Sequence, residues 1–268
     1  MPKLSTNGIN LYYESHGSGA SLVLINGLAY DLWMWHKMVP FLAQHFQVIT
    51  FDNRGAGQSD APKGPYSAEM LADDLAGLLD GLGIPQAAIL GHSMGGFVAQ
   101  AFVLKYPERV SKLILSATNF GGPRHVPVTQ EALAVLMDIS GDPAARLRRG
   151  ILVSCAPGFS DTHADFVEEW VNYRLAHPLN PEAYQAQLAI GLSLVSEEAS
   201  FEKKLSSVQA PALILFGEHD KVVPPANAPL LAQAIPHAQI TILPNAGHFF
   251  PFEVPKLASQ VVTQFLLS

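Results

Sequence analysis

The feature that most constrains the fold of this chain is an alternation of short apolar runs with longer amphipathic stretches. Most of the runs are apolar throughout rather than at every second residue, which is typical of parallel strands buried on both faces. Strands that alternate with helices in this way predict an α/β fold, with a mostly parallel, twisted sheet and helices on both of its faces. The predicted strands are residues 22–25, 47–51, 87–90, 112–115, 212–216 and 239–243.

The amphipathic stretches between these strands predict helices, and the sequence also indicates where several of them end. Proline lacks a backbone N–H and does not continue a helix, so Pro85, Pro107 and Pro236 place three helix ends. Near the N-terminus, Asn7-Gly8 lies between two short alternating segments and predicts the tight turn of an antiparallel hairpin at the edge of the sheet. The predicted helices are residues 67–82, 95–106, 226–234 and 254–267.

The alternation of strands and helices is interrupted between residues 121 and 206. A helical insertion in an α/β sheet is most simply a lid over the carboxyl ends of the strands, where such folds bind ligands. The alternative is that these helices extend the helical layer. We therefore predict a core domain, residues 1–120 and 207–268, and a helical lid, residues 121–206. The insertion contains no good strand, and its helical patterns lie at residues 130–139, 144–153, 162–176 and 181–192.

The composition requires that much of this chain be buried. Residues of the hydrophobic set AVILMFWYC make up 49% of it and charged residues 15%, against about 25% charged residues in an average protein. This balance excludes intrinsic disorder and a coiled coil, both of which are rich in charge. No apolar run approaches the about 18 residues of a membrane-spanning helix, so we expect no membrane partner.

The net charge and the cysteine content indicate which partners and which cellular compartment to expect. The net charge is −7 and no basic run is present, so we expect no nucleic-acid partner. The single cysteine, Cys155, can form no intramolecular disulfide and belongs to no Cys/His cluster, which indicates a reducing compartment and no metal site. The first residues lack the apolar core of a secretory signal, so the sequence predicts a cytoplasmic protein. The sequence makes no prediction of oligomeric state.

The sharpest local signal is a Gly-x-Ser-x-Gly motif, Gly91-His92-Ser93-Met94-Gly95, between a predicted strand and a predicted helix. A serine in such a strand-to-helix turn is held in a strained conformation that exposes its hydroxyl above the sheet. The flanking glycines let neighbouring chain pass closely, and the positive end of the following helix favours an anion formed at the hydroxyl. Ser93 is therefore the candidate nucleophile.

A serine hydroxyl is a weak nucleophile, so this interpretation requires a base and a group that orients the base. Of the ten histidines, His248 alone lies in a loop directly after the last predicted strand. Asp220 lies in the loop after the preceding strand, with Glu218 as the alternative acid and Asn119 as the next position to consider. Because parallel strands end at one edge of the sheet, the loops of Ser93, Asp220 and His248 are predicted to meet there.

Together these motifs resemble the α/β-hydrolase superfamily. The resemblance rests on Leu-Ile-Asn-Gly-Leu at residues 24–28, Phe-Asp-Asn-Arg-Gly-Ala-Gly-Gln-Ser at residues 51–59, the Ser93 turn and the loops of Asp220 and His248. It implies the α/β-hydrolase fold and similarity to the esterase and enol-lactonase branch. The implied activity is hydrolysis of a small-molecule carboxylic ester or lactone through an acyl-enzyme, with Ser93, Asp220 and His248 as the catalytic triad and no cofactor.

The resemblance also implies an oxyanion hole and a scaffold role for one arginine. In the family, two backbone N–H groups bind the oxyanion, and their positions here are Leu28 and Met94. Asn26 stands where the family usually has histidine. Arg54, in the second motif, is expected to form a scaffold ion pair. Apolar residues beside these loops are expected to line the substrate pocket, namely Trp33, Val222 and Phe249.

Several activities share these motifs and stay open. A cofactor-free perhydrolase of the haloperoxidase type and a carbon–carbon bond hydrolase of aromatic catabolism use the same triad. A protein of another class, a ligand-sensing signalling protein on the same fold, uses slow or absent turnover. A dinucleotide-binding loop is excluded, because Asp60 stands where Gly55-x-Gly57 requires its third glycine.

Overall fold

Eight strands form one mixed sheet in the computed structural model, which describes residues 2–138 and 140–268. The strands are β1 (Lys3–Thr6), β2 (Ile9–His16), β3 (Ser21–Ile25), β4 (Gln47–Phe51), β5 (Ala87–His92), β6 (Val110–Ser116), β7 (Ala212–Gly217) and β8 (Gln239–Leu243). Their order across the sheet is β1-β2-β4-β3-β5-β6-β7-β8. The pairs β1–β2 and β2–β4 are antiparallel and the remaining pairs are parallel. The predicted hairpin and the mostly parallel sheet are both present.

Helices cover both faces of this sheet. They are α1 (Val39–Leu42), α2 (Ala68–Gly81), α3 (Met94–Lys105), α4 (Gln130–Met137), α5 (Pro143–Ser154), α6 (Phe159–Thr162), α7 (Ala164–Ala176), α8 (Pro181–Ser193), α9 (Asn227–Ala234), α10 (Phe250–Glu253) and α11 (Pro255–Leu267). The four helices predicted between the strands match α2, α3, α9 and α11 to within one residue at each end. In the described part of the chain, no helix is both long enough and apolar enough to span a bilayer.

The sheet has a hydrophobic core on each face because successive side chains of a strand point to opposite sides. On β3, Val23 and Ile25 pack with residues of α2 and α3, whereas Leu22 and Leu24 pack with residues of α1 and α11. All four side chains are fully buried. Each such burial stabilises the fold by about 1.5–3 kcal/mol, which explains why these strands are apolar throughout.

The parallel strands end at one edge of the sheet, and the predicted site residues follow three of them. Ser93 comes directly after β5, Asp220 lies in the loop after β7, and His248 lies in the loop after β8. Strand β7 is adjacent to β8 and is separated from β5 by β6 alone. The topology therefore brings the three loops together.

Between β6 and β7 the described residues contain five helices, α4–α8, and no strand. The helix predicted over residues 162–176 is present as α7, which begins two residues later because the backbone of His163, between α6 and α7, leaves the helical region with φ −130° and ψ 39°. The rings of Phe159 and His163, four residues apart, stack at this point with centroids 4.5 Å apart. The last residue of the helix predicted over 130–139 lies outside the described residues. The division into core and lid domains stays a prediction.

A buried ion pair joins the turn after β4 to helix α2. Arg54 donates from Nε and Nη2 to the two carboxylate oxygens of Asp74 at 2.6 and 2.5 Å. The two side chains are only 6% and 2% exposed. The side-chain amide of Asn7 donates to the same carboxylate at 2.8 Å. The scaffold ion pair expected for Arg54 is therefore present.

We expect Asp74→Leu to lower the free energy of unfolding by about 3–5 kcal/mol, because it leaves the guanidinium of Arg54 buried without its counter-ion. The double variant Arg54→Met with Asp74→Leu should recover most of the loss, since no unpaired charge then stays buried. Chemical denaturation of the wild type and both variants measures the effect. A double variant as unstable as the single one would contradict this account.

Candidate active site

Ser93 occupies the tight turn that joins β5 to α3. Its backbone has φ 55° and ψ −120°, a conformation that costs a non-glycine residue about 1–3 kcal/mol. The flanking glycines are required by close packing. A Cβ on Gly91 would lie 2.3 Å from the carbonyl oxygen of Gly95, and a Cβ on Gly95 would lie 2.4 Å from that of Ile25. Backbone packing therefore holds the strained turn and presents the Ser93 hydroxyl at the edge of the sheet.

Ser93, His248 and Asp220 form a chain of hydrogen bonds. His248 Nε2 lies 3.2 Å from Ser93 Oγ, and His248 Nδ1 lies 2.8 Å from Asp220 Oδ2. Asp220 Oδ1 accepts the backbone N–H groups of Val222 and Val223 at 2.9 and 2.8 Å. An ionised carboxylate only accepts, so Nδ1 carries the proton and Nε2 is left to accept from the Ser93 hydroxyl. This geometry suits transfer of the hydroxyl proton to His248.

Glu218 and Asn119, the two alternative residues considered for orienting the base, make their hydrogen bonds to other groups. The carboxylate of Glu218 accepts the backbone N–H of Asn245 at 3.1 Å. The side chain of Asn119 accepts a backbone N–H within its own loop at 2.7 Å. By contrast, Asp220 and His248 are 3% and 4% exposed, so their contact is shielded from water. The structure brings Asp220, rather than either alternative, to the imidazole.

Leu28 and Met94, the predicted oxyanion-hole residues, are both neighbours of Ser93. Met94 is the first residue of α3, where a backbone N–H has no acceptor within the helix. Leu28 follows Gly27, and a Cβ on Gly27 would lie 3.3 Å from the Cβ of Ser93. Leu28 and Ser93 also line the same cavity. Both residues therefore lie beside Ser93, and their role as an oxyanion hole stays a prediction.

Asn26 supports the loop that leads to Leu28. Its side-chain amide donates to the carbonyl oxygen of Phe51 at 2.7 Å, and its side-chain oxygen accepts the indole N–H of Trp35 at 2.5 Å. The side chain of Asn53 donates to the backbone oxygen of Asn26 at 3.1 Å. Asn26 is fully buried, so its polar atoms are satisfied within the scaffold.

A cavity of about 790 Å³ lies above Ser93 and His248. Its walls are mostly apolar, and α4, α5, α7 and α8 all contribute side chains to them. The predicted pocket residues Val222 and Phe249 line it. Trp170 of α7 is a further wall residue and meets Phe249 edge-on with ring centroids 4.7 Å apart. Part of the apolar excess of this chain thus faces an internal space rather than a packed core.

The structure places Trp33 elsewhere than expected. Its ring stacks between those of His36 and Tyr173, with centroids 4.3 and 4.2 Å away. Trp33 lines a second cavity, of about 500 Å³. The stacking partner Tyr173 belongs to α7, so a contact distant in sequence decides the direction of the ring. Nearness of Trp33 to the loop of Leu28 in the sequence could not reveal that direction.

The inserted helices bring cationic residues to the cavity that the sequence motifs did not predict. Arg146 of α5 and Arg174 of α7 both line it. Arg174 donates to the carbonyl oxygen of Ala29 at 2.8 Å, and its guanidinium lies 4.4 Å from the centre of the Tyr30 ring. No motif marks these residues, because helical periodicity indicates which face is buried but not which cavity that face meets.

His92 and Cys155 are buried near the site and carry no charge at neutral pH. His92 Nδ1 lies 2.8 Å from Ser116 Oγ, and burial holds the pKa of this histidine well below its usual range, with His248 adding to the shift. Burial also raises the pKa of the Cys155 thiol well above its usual range. No group of three or more potential metal ligands occurs among residues 2–138 and 140–268.

The chain belongs to the α/β-hydrolase family. Residues 20–255 match the family described as alpha/beta hydrolase fold, and the sheet order and the Ser93 turn accord with that match. The resemblance predicted from the sequence motifs is thereby confirmed.

Relatives with named activities agree with this assignment. The 2-hydroxy-6-oxononadienedioate/2-hydroxy-6-oxononatrienedioate hydrolase of Burkholderia vietnamiensis is 31% identical over 96% of this chain and 91% of its own length. The 3-oxoadipate enol-lactonase 2 of Acinetobacter baylyi is 29% identical over 97% of this chain and 94% of its own length. The crystal structure of the enol-lactonase from Burkholderia xenovorans LB400 covers 100% of both chains at 28% identity, with a TM-score of 0.83. The present protein is a hydrolase.

We expect the free energy of unfolding of Ser93→Gly to be about 1 kcal/mol higher than that of Ser93→Ala, so that the glycine variant is the more stable of the two. Glycine adopts the positive φ without the strain of about 1–3 kcal/mol, and this relief exceeds its entropic cost of about 0.5–1 kcal/mol. Both variants lack the hydroxyl, so chemical denaturation of the pair isolates the backbone effect. Equal stabilities would show that the turn is not strained.

Proposed function

We propose that this protein hydrolyses a small carboxylic ester or lactone by forming an acyl-enzyme at Ser93. The observation that carries the proposal is the chain of hydrogen bonds from Ser93 through His248 to Asp220 at one end of a mostly apolar cavity. His248 takes the hydroxyl proton as Ser93 attacks the carbonyl carbon, and Asp220 stabilises the imidazolium. The imidazolium then donates its proton to the leaving oxygen, and water activated by His248 releases the acyl group.

The oxyanion of the tetrahedral intermediate is proposed to bind the backbone N–H groups of Leu28 and Met94. A donor of this kind typically contributes about 10²–10³ in turnover. The partial positive charge at the start of α3 adds to the effect of the Met94 amide. The inserted helices, residues 121–206, are proposed to act as the lid that shields this site from water.

The cavity favours a substrate with an apolar body and an anionic group. Its walls are mostly apolar, and they carry the cations Arg146 and Arg174 together with the carboxylate of Asp138, so positive charge is in excess. Arg174 is held beside the loop of Leu28 by its bond to the carbonyl oxygen of Ala29, the next residue in the chain. The names of two relatives support this choice, since 3-oxoadipate and 2-hydroxy-6-oxononadienedioate are both carboxylates.

Hydrolysis of a carbon–carbon bond is the second candidate function. The relative from B. vietnamiensis is named for a 2-hydroxy-6-oxo-dienedioate, a compound whose name contains neither an ester nor a lactone. The same hydrogen-bonded chain at Ser93 is compatible with that reaction. The two candidates differ in the bond cleaved, so direct comparison of an enol-lactone with a 2-hydroxy-6-oxo-dienoate as substrate separates them.

We expect the wild type to turn over short p-nitrophenyl esters and carboxylate-bearing lactones repeatedly, and we expect Ser93→Ala to abolish this turnover. Asp220→Asn should lower kcat by about 10⁴, because the amide favours the wrong imidazole tautomer. Steady-state kinetics with Glu218→Gln as the matched control measures both effects. Near-normal turnover in Asp220→Asn would place the acid elsewhere.

Two other outcomes would redirect the assignment. A single burst that leaves a lasting adduct on Ser93, followed by ligand-dependent binding of another protein, would favour the ligand-sensing class. Formation of a peracid from a carboxylic acid and hydrogen peroxide, faster than ester hydrolysis, would favour the perhydrolase.

Arg174→Gln is expected to lower kcat/KM for a carboxylate-bearing ester about tenfold or more relative to a neutral ester of the same length. Glutamine keeps a donor for the Ala29 carbonyl oxygen but removes the charge, and a hydrogen bond to a charged group is worth about 1.5–3 kcal/mol. The ratio of the two kcat/KM values, measured in the wild type and the variant, is the readout. An equal loss on both esters would assign Arg174 to the scaffold alone.

A further inference from the structure

Glu253 connects the loop of His248 to the inserted helices. Its carboxylate, at the end of α10, accepts the backbone N–H of Ala156 at 2.6 Å. The same carboxylate accepts the backbone N–H of Gly247, which lies 3.0 and 3.1 Å from its two oxygens. Ala156 closely follows helix α5, and Gly247 directly precedes His248. One side chain therefore binds both the segment that follows α5 and the loop of the proposed catalytic base.

Direct backbone contacts join the same two segments. The N–H of His248 donates to the carbonyl oxygen of Ser154, the last residue of α5, at 2.7 Å. A Cβ on Gly247 would lie only 2.5 Å from that same oxygen. Because α5 also lines the cavity, the wall that meets the substrate and the backbone that carries the imidazole are in contact. A small displacement of the end of α5 therefore displaces His248.

Glu253 also places a titratable group beside the proposed triad. Burial raises the pKa of its carboxyl to about 7; its backbone hydrogen bonds oppose this rise, the negative charge of Asp220 adds to it, and His248 opposes it. Glu253 in turn adds to the raised pKa of the Cys155 thiol. An ionised Glu253 stabilises a positive charge on His248, because opposite charges at short range favour each other.

We propose that Glu253 is a positioning residue that clamps the His248 loop to the end of helix α5, so that the imidazole keeps its place relative to Ser93 while the cavity is occupied. The inference rests on the proposed function, in which His248 is the base. Glu253 acts through His248 and through the wall formed by α5. The length of its side chain sets the position of the loop, and its charge supports the imidazolium.

Two substitutions separate these contributions. Glu253→Gln keeps the reach of the side chain and removes the charge, whereas Glu253→Asp keeps the charge and shortens the reach. Glu218→Gln is the matched control, because Glu218 accepts the N–H of Asn245 in the same loop. Each variant is made in the full chain, and kcat, KM and the pH profile of kcat/KM are measured with a p-nitrophenyl ester.

We expect both Glu253 variants to lower kcat by about 10- to 100-fold with little change in KM, because a misplaced catalytic group slows the reaction without weakening binding. In Glu253→Gln the acidic limb of the kcat/KM profile should move modestly to lower pH, since the carboxylate, with a pKa of about 7, is only partly ionised across that limb and its loss removes a partial negative charge beside the imidazolium. Glu253→Asp should keep the limb of the wild type. Glu218→Gln should leave kcat and the profile unchanged.

Amide hydrogen exchange tests the clamp independently of turnover. The N–H groups of Ala156 and Gly247 should exchange faster in Glu253→Asp than in the wild type, and both should be unaffected in Glu218→Gln. Absence of Ser93-dependent turnover in the wild type would overturn the proposed function, and the exchange rates would still decide the clamp. Unchanged exchange at both amides, or wild-type kcat in both Glu253 variants, would overturn the clamp itself. A lower kcat with an unchanged pH profile in Glu253→Gln would overturn the contribution of its charge.

Discussion

The strained turn at Ser93 is the constraint on which the rest of the site depends. A non-glycine residue keeps a positive φ only where its surroundings leave no alternative. Here Gly91 and Gly95 let β5, β3 and α3 approach at distances that no side chain permits. The turn is thus held by strands that are themselves buried on both faces. The turn presents Ser93 at the edge of the sheet where the loops after β7 and β8 also lie because of the strand order.

Burial changes the charge state of some polar groups around this turn and not of others, depending on the hydrogen bonds that each group forms. His92 stays neutral because burial holds its pKa well below the usual range, whereas Asp220 accepts hydrogen bonds from the imidazole of His248 and from backbone N–H groups. Asp52 and Glu253 are carboxyls whose pKa values burial raises to about 7, and each accepts two backbone N–H groups that join separate segments. Buried carboxyls therefore connect the loops of this fold, at an energetic cost that their hydrogen bonds offset.

Much of the fold was predictable because its elements are locally encoded. Continuous apolar runs identified the parallel strands, Asn7-Gly8 identified the hairpin, and the glycines around Ser93 identified the turn. The one-turn helix α6 was not predicted, because four residues are too few for a helical period to show in the sequence. The predicted place of Trp33 in the wall of the cavity above Ser93 was not found, for a different reason. Its position beside the oxyanion loop was correct in sequence, but Tyr173 of α7 draws the ring into another cavity.

The sequence by itself determined the sheet, the candidate nucleophile and the order of the residues that serve it, because strand ends and turns depend on neighbouring residues. The tertiary structure decided everything that depends on the inserted helices: which aromatic ring lines the cavity, that Arg174 reaches it, and that Glu253 joins Ala156 to the loop of His248. These contacts join residues about a hundred or more positions apart, or depend on the tilt of one helix against another. No local pattern carries that information, so only the packed chain reveals it.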